Sequence, residues 1–223
     1  MFACIAGAAI CASAAVRLYT DRAKRVVVSP PKIDVGSVLS SGLVRVEFTV
    51  TNATSQAVHL AETFKNCDCT NAECSVKALE PGQAAHCSID WSTRGRSGPT
   101  STSVGQTWRI MGSDTAWLGK VAISCFVSTE QAFITEGPLL HLAGNRPTFV
   151  KLHSSLKRPD VQLHLNATSP LVRAELRHDS GSLMAEISAK SKSLPPAASV
   201  VLEVRDKNAS VKYELPVDVA PDG

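Results

Sequence analysis

The chain has 223 residues, with 23 Lys plus Arg against 20 Asp plus Glu, a formal charge of +3, and 44% hydrophobic residues. That length holds one large domain or two of about 100 residues each. The near balance of charge, with no Lys/Arg block and no basic–aromatic stripe, gives no footing for nucleic-acid binding, the apolar content argues against disorder, and the lack of a glycine period or sustained heptads excludes collagen and coiled coil.

The first element is an uncharged apolar run, MFACIAGAAICASAAV at 1–16, with Arg17 the first ionisable side chain. A run of this kind fits a signal-peptide core or a short membrane anchor, and Ser13-Ala14-Ala15 supplies the small residues a signal peptidase accepts. No Lys or Arg precedes the run, while Arg17, Arg22, Lys24 and Arg25 follow it; a start codon placed too late would account for the missing basic segment. Residues 1–20 are therefore expected to be a signal peptide or anchor, in contact with the membrane through 1–16 if uncleaved, with the rest of the chain outside the cytoplasm. A buried apolar helix of a cytosolic domain is the plainer alternative.

After residue 25 the pattern is strand upon strand. Val44, Val46, Phe48 and Val50 alternate with Arg45, Glu47, Thr49 and Thr51, the period of two that sets one face in a core and the other in water. Asn52-Ala-Thr-Ser55 reads as a turn. Cys87, Ile89 and Trp91 alternate with His86, Ser88 and Asp90, and Val121, Ile123, Cys125 and Val127 repeat the theme; Trp108 and Ile110 mark a strand at 104–111. Between these lie SPP at 29–31, PGQ at 81–83 and RGRSGPTSTS at 94–103, read as turns and loops. Pro81-Gly82 suits a tight turn, and Pro30-Pro31 removes two backbone donors, as at an edge or the start of a strand. Val46, Phe48, Ile89, Trp91 and Ile123 are the expected core, each contributing roughly 1.5–3 kcal/mol on burial.

A second set of strands is expected at 148–153, 161–166, 171–178, 183–189, 200–205 and 211–217, after a junction near 129–137 where Glu130, Glu136 and Gly137-Pro138 interrupt the apolar pattern. The tail at 220–223 reads as frayed. Short strands with regular turn signals point to β-sandwiches. The expected fold class is all-β, with two tandem immunoglobulin-like sandwiches at 26–130 and 131–219 behind an N-terminal hydrophobic signal or anchor helix.

Ordered features of 28–127 carry a resemblance. An opening strand SPPKIDVGSVLSSG is followed by FTVTNAT, then NCDCT at 66–70, LEPGQAAHCSIDWST, and GRSG at 95–98 before a last hairpin. This stretch resembles the bacterial domain of unknown function 1573 family, an immunoglobulin-like sandwich akin to ciliary and sperm-protein domains, in which NCDCT stands where Cys-Gly-Cys-Thr is typical and Asp68 replaces the usual glycine. The resemblance implies an exported, often membrane-anchored protein and no assigned activity, and it does not reach the C-terminal half.

Cys67, Cys69 and Cys74 form the sharpest local feature, with Cys87 and Cys125 further on. Three readings stand. The first is structural: Cys67 or Cys69 pairs with Cys74 or Cys87 in an oxidising compartment. The second is a metal site using Cys67, Cys69 and Cys74 with Cys87 or His86, better suited to copper(I) than to zinc because Cys-x-Cys is short for a zinc pair. The third is thiol–disulfide exchange, which the carboxylates Asp68 and Glu73 disfavour and Lys65 favours. Cys125, sharing a face with Val121 and Ile123, reads as a buried free thiol.

No catalytic residue and no cofactor is expected. His59, His86, His141, His153, His164 and His178 form no ligand motif and mostly occupy polar strand positions. Ser154-Ser-Leu-Lys157 lacks the helix and partner motifs that Ser-x-x-Lys chemistry needs, Gly95-Arg-Ser-Gly98 is one residue short of a nucleophile elbow, and no phosphate loop is present. Asn52, Asn166 and Asn208 open glycosylation sequons at strand ends, where turn chemistry accounts for them first. The expected function is a non-enzymatic exported or membrane-anchored envelope module that binds or spaces an unknown envelope protein, through the NCDCT and 94–103 loops and exposed sheet edges. The alternative is a copper, zinc or thiol-redox protein built on Cys67, Cys69 and Cys74.

Overall fold

The computed structural model describes residues 25–143, 146–179, 181–207 and 209–219. The leader expected at 1–20, Asn208 of the third sequon and the tail at 220–223 lie outside them. Among the described residues no helix is long and apolar enough to cross a membrane.

In chain order the strands are β1 (Val26–Ser29), β2 (Lys32–Val38), β3 (Leu43–Asn52), β4 (Val58–Lys65), β5 (Thr70–Cys74), β6 (Ala78–Leu79), β7 (Ala84–Ser92), β8 (Gly98–Ile110), β9 (Ala116–Val127), β10 (Phe133–Ile134), β11 (Leu140–Leu142), β12 (Thr148–Leu152), β13 (Gln162–Ala167), β14 (Val172–Asp179), β15 (Ser182–Ala189), β16 (Ser199–Arg205) and β17 (Ala209–Val219). The one helical piece among the described residues is a 3-10 turn at Ser154–Leu156, where the expected loop lies. The fold is all-β.

The chain divides into two compact units. The first takes the described part of Met1–Ile33 with Glu47–Ile89 and Thr102–Ala122; the second takes Asp34–Val46, Asp90–Ser101 and the segment from Ile123 onward. Strands β2, β3, β7, β8 and β9 each give residues to both.

In the first unit, β1 pairs antiparallel with the second half of β3, from Val26 opposite Asn52 to Ser29 opposite Thr49. The β7 strand lies between β3 and β5, and β4 lies between β6 and β8. Alternation sends Phe48 and Val50 inward with Ile89, Val104 and Trp108, all buried. The turn after β3 is built on Asn52, which is fully buried. Its amide nitrogen donates to the carbonyls of Gln56 and Leu79, both at 2.9 Å, and its Oδ1 accepts from the Thr54 amide at 3.0 Å and the Thr54 hydroxyl at 2.7 Å. Gly82, at φ +80°, turns its N–H to the Asn52 carbonyl at 2.8 Å, the left-handed geometry that a glycine after proline supplies.

In the second unit, β13, β16, β17 and the first half of β3 lie side by side, with Val211 opposite Val44 and Lys212 opposite Leu43. A separate four-stranded sheet runs β10-β12-β15-β14. The short β11 joins β17 in parallel. Buried Val44, Leu152, Ile187, Leu202 and Tyr213 fill this core. The backbone N–H of Leu39 donates to the Tyr213 hydroxyl at 3.0 Å, so the ring's one polar atom is satisfied inside. Gly42 sits where a side chain would collide: a Cβ there would lie 2.8 Å from Val211 Cγ1 and 3.1 Å from Tyr213 Cε1.

Candidate functional site: the Cys67–Cys69 loop

Strand β4 runs out at Lys65, opposite Val104 of β8. Only Val58 of its eight residues is buried, and its last five, including Phe64, are exposed. The chain then turns through 66–69 and re-enters as β5 at Thr70. The turn is closed from below by polar bonds. The Thr102 hydroxyl donates to Asn66 Oδ1 at 2.6 Å, the Ser103 amide reaches the same oxygen at 3.1 Å, and the Thr70 hydroxyl lies 3.0 Å from Thr102 Oγ1. Thr70 is 1% exposed and Thr102 3%, so the loop rests on a buried hydroxyl pair.

Cys67 and Cys69 are joined to each other, with Cα atoms 5.2 Å apart. Both are half-buried, and Asp68 between them faces solvent. The Cys69 amide N–H points at Cys67 Sγ at 3.0 Å, and the Thr70 hydroxyl lies 3.9 Å from each sulfur. Cys74 of β5 is joined to Cys87 of the adjacent β7, with Cα atoms 4.0 Å apart. Cys87 is 3% exposed. Gln106 Nε2 donates to Cys74 Sγ at 3.1 Å, and Trp108 Nε1 donates to Gln106 Oε1 at 3.4 Å. The structure thus pairs the cysteines by neighbourhood: Cys67 turns to Cys69, two residues along, and Cys74 to Cys87 across the strand pair. Sulfurs engaged in disulfides present no thiolate to a metal, and among the described residues no three His, Cys, Asp or Glu side chains are grouped to hold one. Cys125 is free and buried, and desolvation, with Asp34 adding to it, pushes its thiol up to about 11.

Beside the loop lies an apolar patch on the outer face of β4, β8 and β9. Phe64 is 45% exposed and Leu118 68%. They flank Gly105, which faces Phe64 across the strand pair; a Cβ on Gly105 would lie 3.4 Å from Leu118 Cδ1 and 3.9 Å from Phe64 Cβ. No periodic signal announces this patch, because β4 lacks an alternating core face.

The second expected contact loop is shorter than the sequence suggested. Gly98–Ile110 is one strand, so the PTSTS part of 94–103 is β-structure and only 94–97 is a turn. Arg96 from that turn lies over the Trp91 ring at 5.9 Å. Of the histidines, His86, His141, His164 and His178 are exposed. His153 instead caps the 3-10 turn, its Nδ1 lying 2.8 Å from Ser155 Oγ and its Nε2 3.0 Å from Glu130 Oε2. His59 Nδ1 is buried without a hydrogen-bond partner. Asn166 lies exposed on β13. A cavity of about 470 Å³ in the second unit, lined by Val38, Leu39, Phe126, Leu156, Val211 and Tyr213 among others, was invisible in sequence because its walls come from widely separated segments.

Comparison with known proteins adds the following. Residues 26–109 match the model of a family described as protein of unknown function (DUF1573), which overlaps the resembling stretch 28–127 from Val28 to Arg109. No curated protein sequence matches the chain. Among solved structures, it is similar to a protein of unknown function from Porphyromonas gingivalis W83, at 12% identity, TM-score 0.38, covering 88% of this chain and 99% of that one. Tandem Ig repeats of Dlar align at 13% identity, TM-score 0.31, over 89% and 99% of the two chains. The Vibrio cholerae VesB protease aligns at 9% identity and TM-score 0.41 over 49% of this chain, which spans about a third (34%) of the protease chain.

Proposed function

We propose, taking the match of residues 26–109 to that unknown-function family as the premise, that this chain is a non-enzymatic, exported or membrane-anchored envelope protein whose two β-sandwich domains, 26–130 and 131–219, act as a binding or spacing module. Its partner is another envelope protein. The observation that carries the reading is the exposed Phe64–Gly105–Leu118 patch, set directly beside the Cys67–Cys69 loop. Large apolar side chains grouped on an outer sheet face are costly in water and mark contact surfaces. The uncharged run at 1–16 supports export or anchoring. The sheet β10-β12-β15-β14 and the strands β13, β16 and β17, all beyond residue 131, support a sandwich in the C-terminal half.

The test is crosslinked capture from detergent-solubilised envelopes with the full chain, run beside a Phe64→Glu/Leu118→Glu double variant. Specific capture by the native protein, lost in the variant, is the expected result. A monodisperse native protein that captures nothing, or a variant that captures equally well, overturns it.

A further inference from the structure

The second unit holds a slot that its own side chains leave open, and we propose that this slot binds a fatty acid, taking the alkyl chain between β13 and β14 and the carboxylate at Lys157. This goes beyond the binding role proposed above, which stands on Phe64 and Leu118, and does not depend on it.

Three observations carry it. The first is a set of core positions without cover. In β13 the period of two puts Leu163 and Leu165 on one face, and Leu165 stands opposite Leu202, which is fully buried. In β14, Leu176 stands opposite Ala185, also fully buried. By register these leucines belong to the core, yet Leu163, Leu165 and Leu176 are only half-buried. Apolar surface left in water at such positions costs free energy that a bound apolar group would recover.

The second is space of a suitable shape. β13 ends its sheet, β14 ends the four-stranded sheet, and the two edges lie against each other. A cavity of about 510 Å³ is walled there by Val161 and Leu163 on one side and by Leu176 and Leu183 on the other, with Leu156 of the 3-10 turn joining them. That volume is in the range of small-molecule sites. Leu156 and Leu183 are buried and give the slot a closed apolar base. The walls are aliphatic, with no aromatic face for a flat ring to stack on, and a flexible alkyl chain fits between branched side chains of this kind.

The third is the sign of the charge at the mouth. The ionisable residues lining the slot are Lys157, Arg158 and His178, all exposed, and among the described residues no carboxylate lines it. Arg158 is neutralised by Asp160, with Asp206 at 3.8 Å. Lys157 gives its Nζ to the Gly181 carbonyl at 2.9 Å, a neutral acceptor, so its positive charge stands uncompensated in that contact. His178 stands opposite Leu183, two residues beyond Leu176 on the same face of β14, and so adds a polar group where the apolar wall ends. An ammonium at the edge of an apolar slot matches a ligand with an anionic group at one end of an apolar body. A cationic amphiphile would meet like charge there. Lys157 reaches the carboxylate by swinging its flexible stem away from the Gly181 carbonyl.

The experiment titrates the full chain, labelled with carbon-13 in its leucine methyl groups, with dodecanoate below its micelle-forming concentration. The signals are assigned with Leu163→Ile and Leu176→Ile. Saturable shifts at Leu156, Leu163, Leu176 and Leu183 are expected, with circular dichroism unchanged. Dodecylammonium is expected to bind there at least about tenfold more weakly, the effect of exchanging a charge-assisted contact for a like-charge one. Lys157→Glu should lower the dodecanoate affinity by about tenfold or more and favour dodecylammonium instead, and Lys157→Arg should keep the native preference. The absence of saturable shifts at these four leucines, shifts confined to other leucines, equal affinity for the two amphiphiles, or a folded Lys157→Glu variant that binds dodecanoate as tightly as the native chain overturns the proposal. The titration involves neither Phe64 nor Leu118, so its failure and that of the capture experiment are separate results.

Discussion

Single residues carry unusual responsibility in this fold. Asn52 serves two carbonyls and receives two donors from a fully buried position, so truncating it strands several polar groups at once. Asn52→Ala is expected to cost about 2–4 kcal/mol, read as a shift in the urea midpoint at constant slope, because each orphaned buried group costs its own desolvation. The same burial argues that the Asn52 sequon is spent on structure. Tyr213 makes a pH prediction. Burial pushes its phenol up to about 12, against which the Leu39 N–H works only partly. The native state therefore keeps this proton at pH values where the unfolded chain, titrating near its ordinary 10.0, has released it. The unfolded state then binds fewer protons, and stability falls as pH rises, from about the unfolded value until the folded one is passed, at up to about 1.4 kcal/mol per pH unit. Urea titrations from pH 9 upward should show this decline, and Tyr213→Phe should remove its part of the slope while losing about 1–3 kcal/mol at neutral pH through the unsatisfied Leu39 N–H.

At the level of strands, sequence pattern and structure agree where one face is buried and diverge where it is not. β3 and β7 alternate strictly in sequence and in burial, and Val46, Phe48, Ile89 and Trp91 are buried as expected. β4 carries no strand signal in sequence because VHLAETFK buries one residue, and the first half of β8 is a strand although PTSTS has the composition of a turn. In that strand Thr102 faces inward and meets Thr70 by hydroxyl contact, a packing solution that hydropathy does not register. Pairing of β3 with β17 depends on Gly42 just before β3, where Val211, Val38 and Tyr213 crowd in. Gly42→Ala is expected to cost about 1–3 kcal/mol by overpacking, visible as a lower thermal midpoint. Across β5 and β7, the Cys74→Ser/Cys87→Ser pair should cost about 3 kcal/mol, the chain-entropy value for a loop of this size.

For the molecule as a whole, each compact unit is assembled from segments that lie far apart in the chain. The second unit needs Leu43–Val46 as the strand beside β17 and Leu39 as the donor to Tyr213. A fragment of 131–219 is therefore expected to keep a β-rich circular dichroism spectrum yet unfold at lower urea than the same residues do within the full chain. An equal midpoint would mean that these contacts contribute nothing. The exposed network of Arg173, Glu175, Arg177 and Glu186 on β14 and β15 contributes little to that difference, since solvated ion pairs are weak.

The amino-acid sequence by itself determined the all-β class, the alternating core of the long strands, the strand set beyond residue 148 and the burial of Cys125, because each is a local consequence of side chains repeating every second residue. Only the tertiary structure decided which cysteine meets which, which face of β4 and β8 shows Phe64 and Leu118 to solvent, and which distant segments wall the cavity around Tyr213. Those facts depend on strand neighbours that are far apart in the chain, and a period of two says which side of a strand is buried without saying what lies against it.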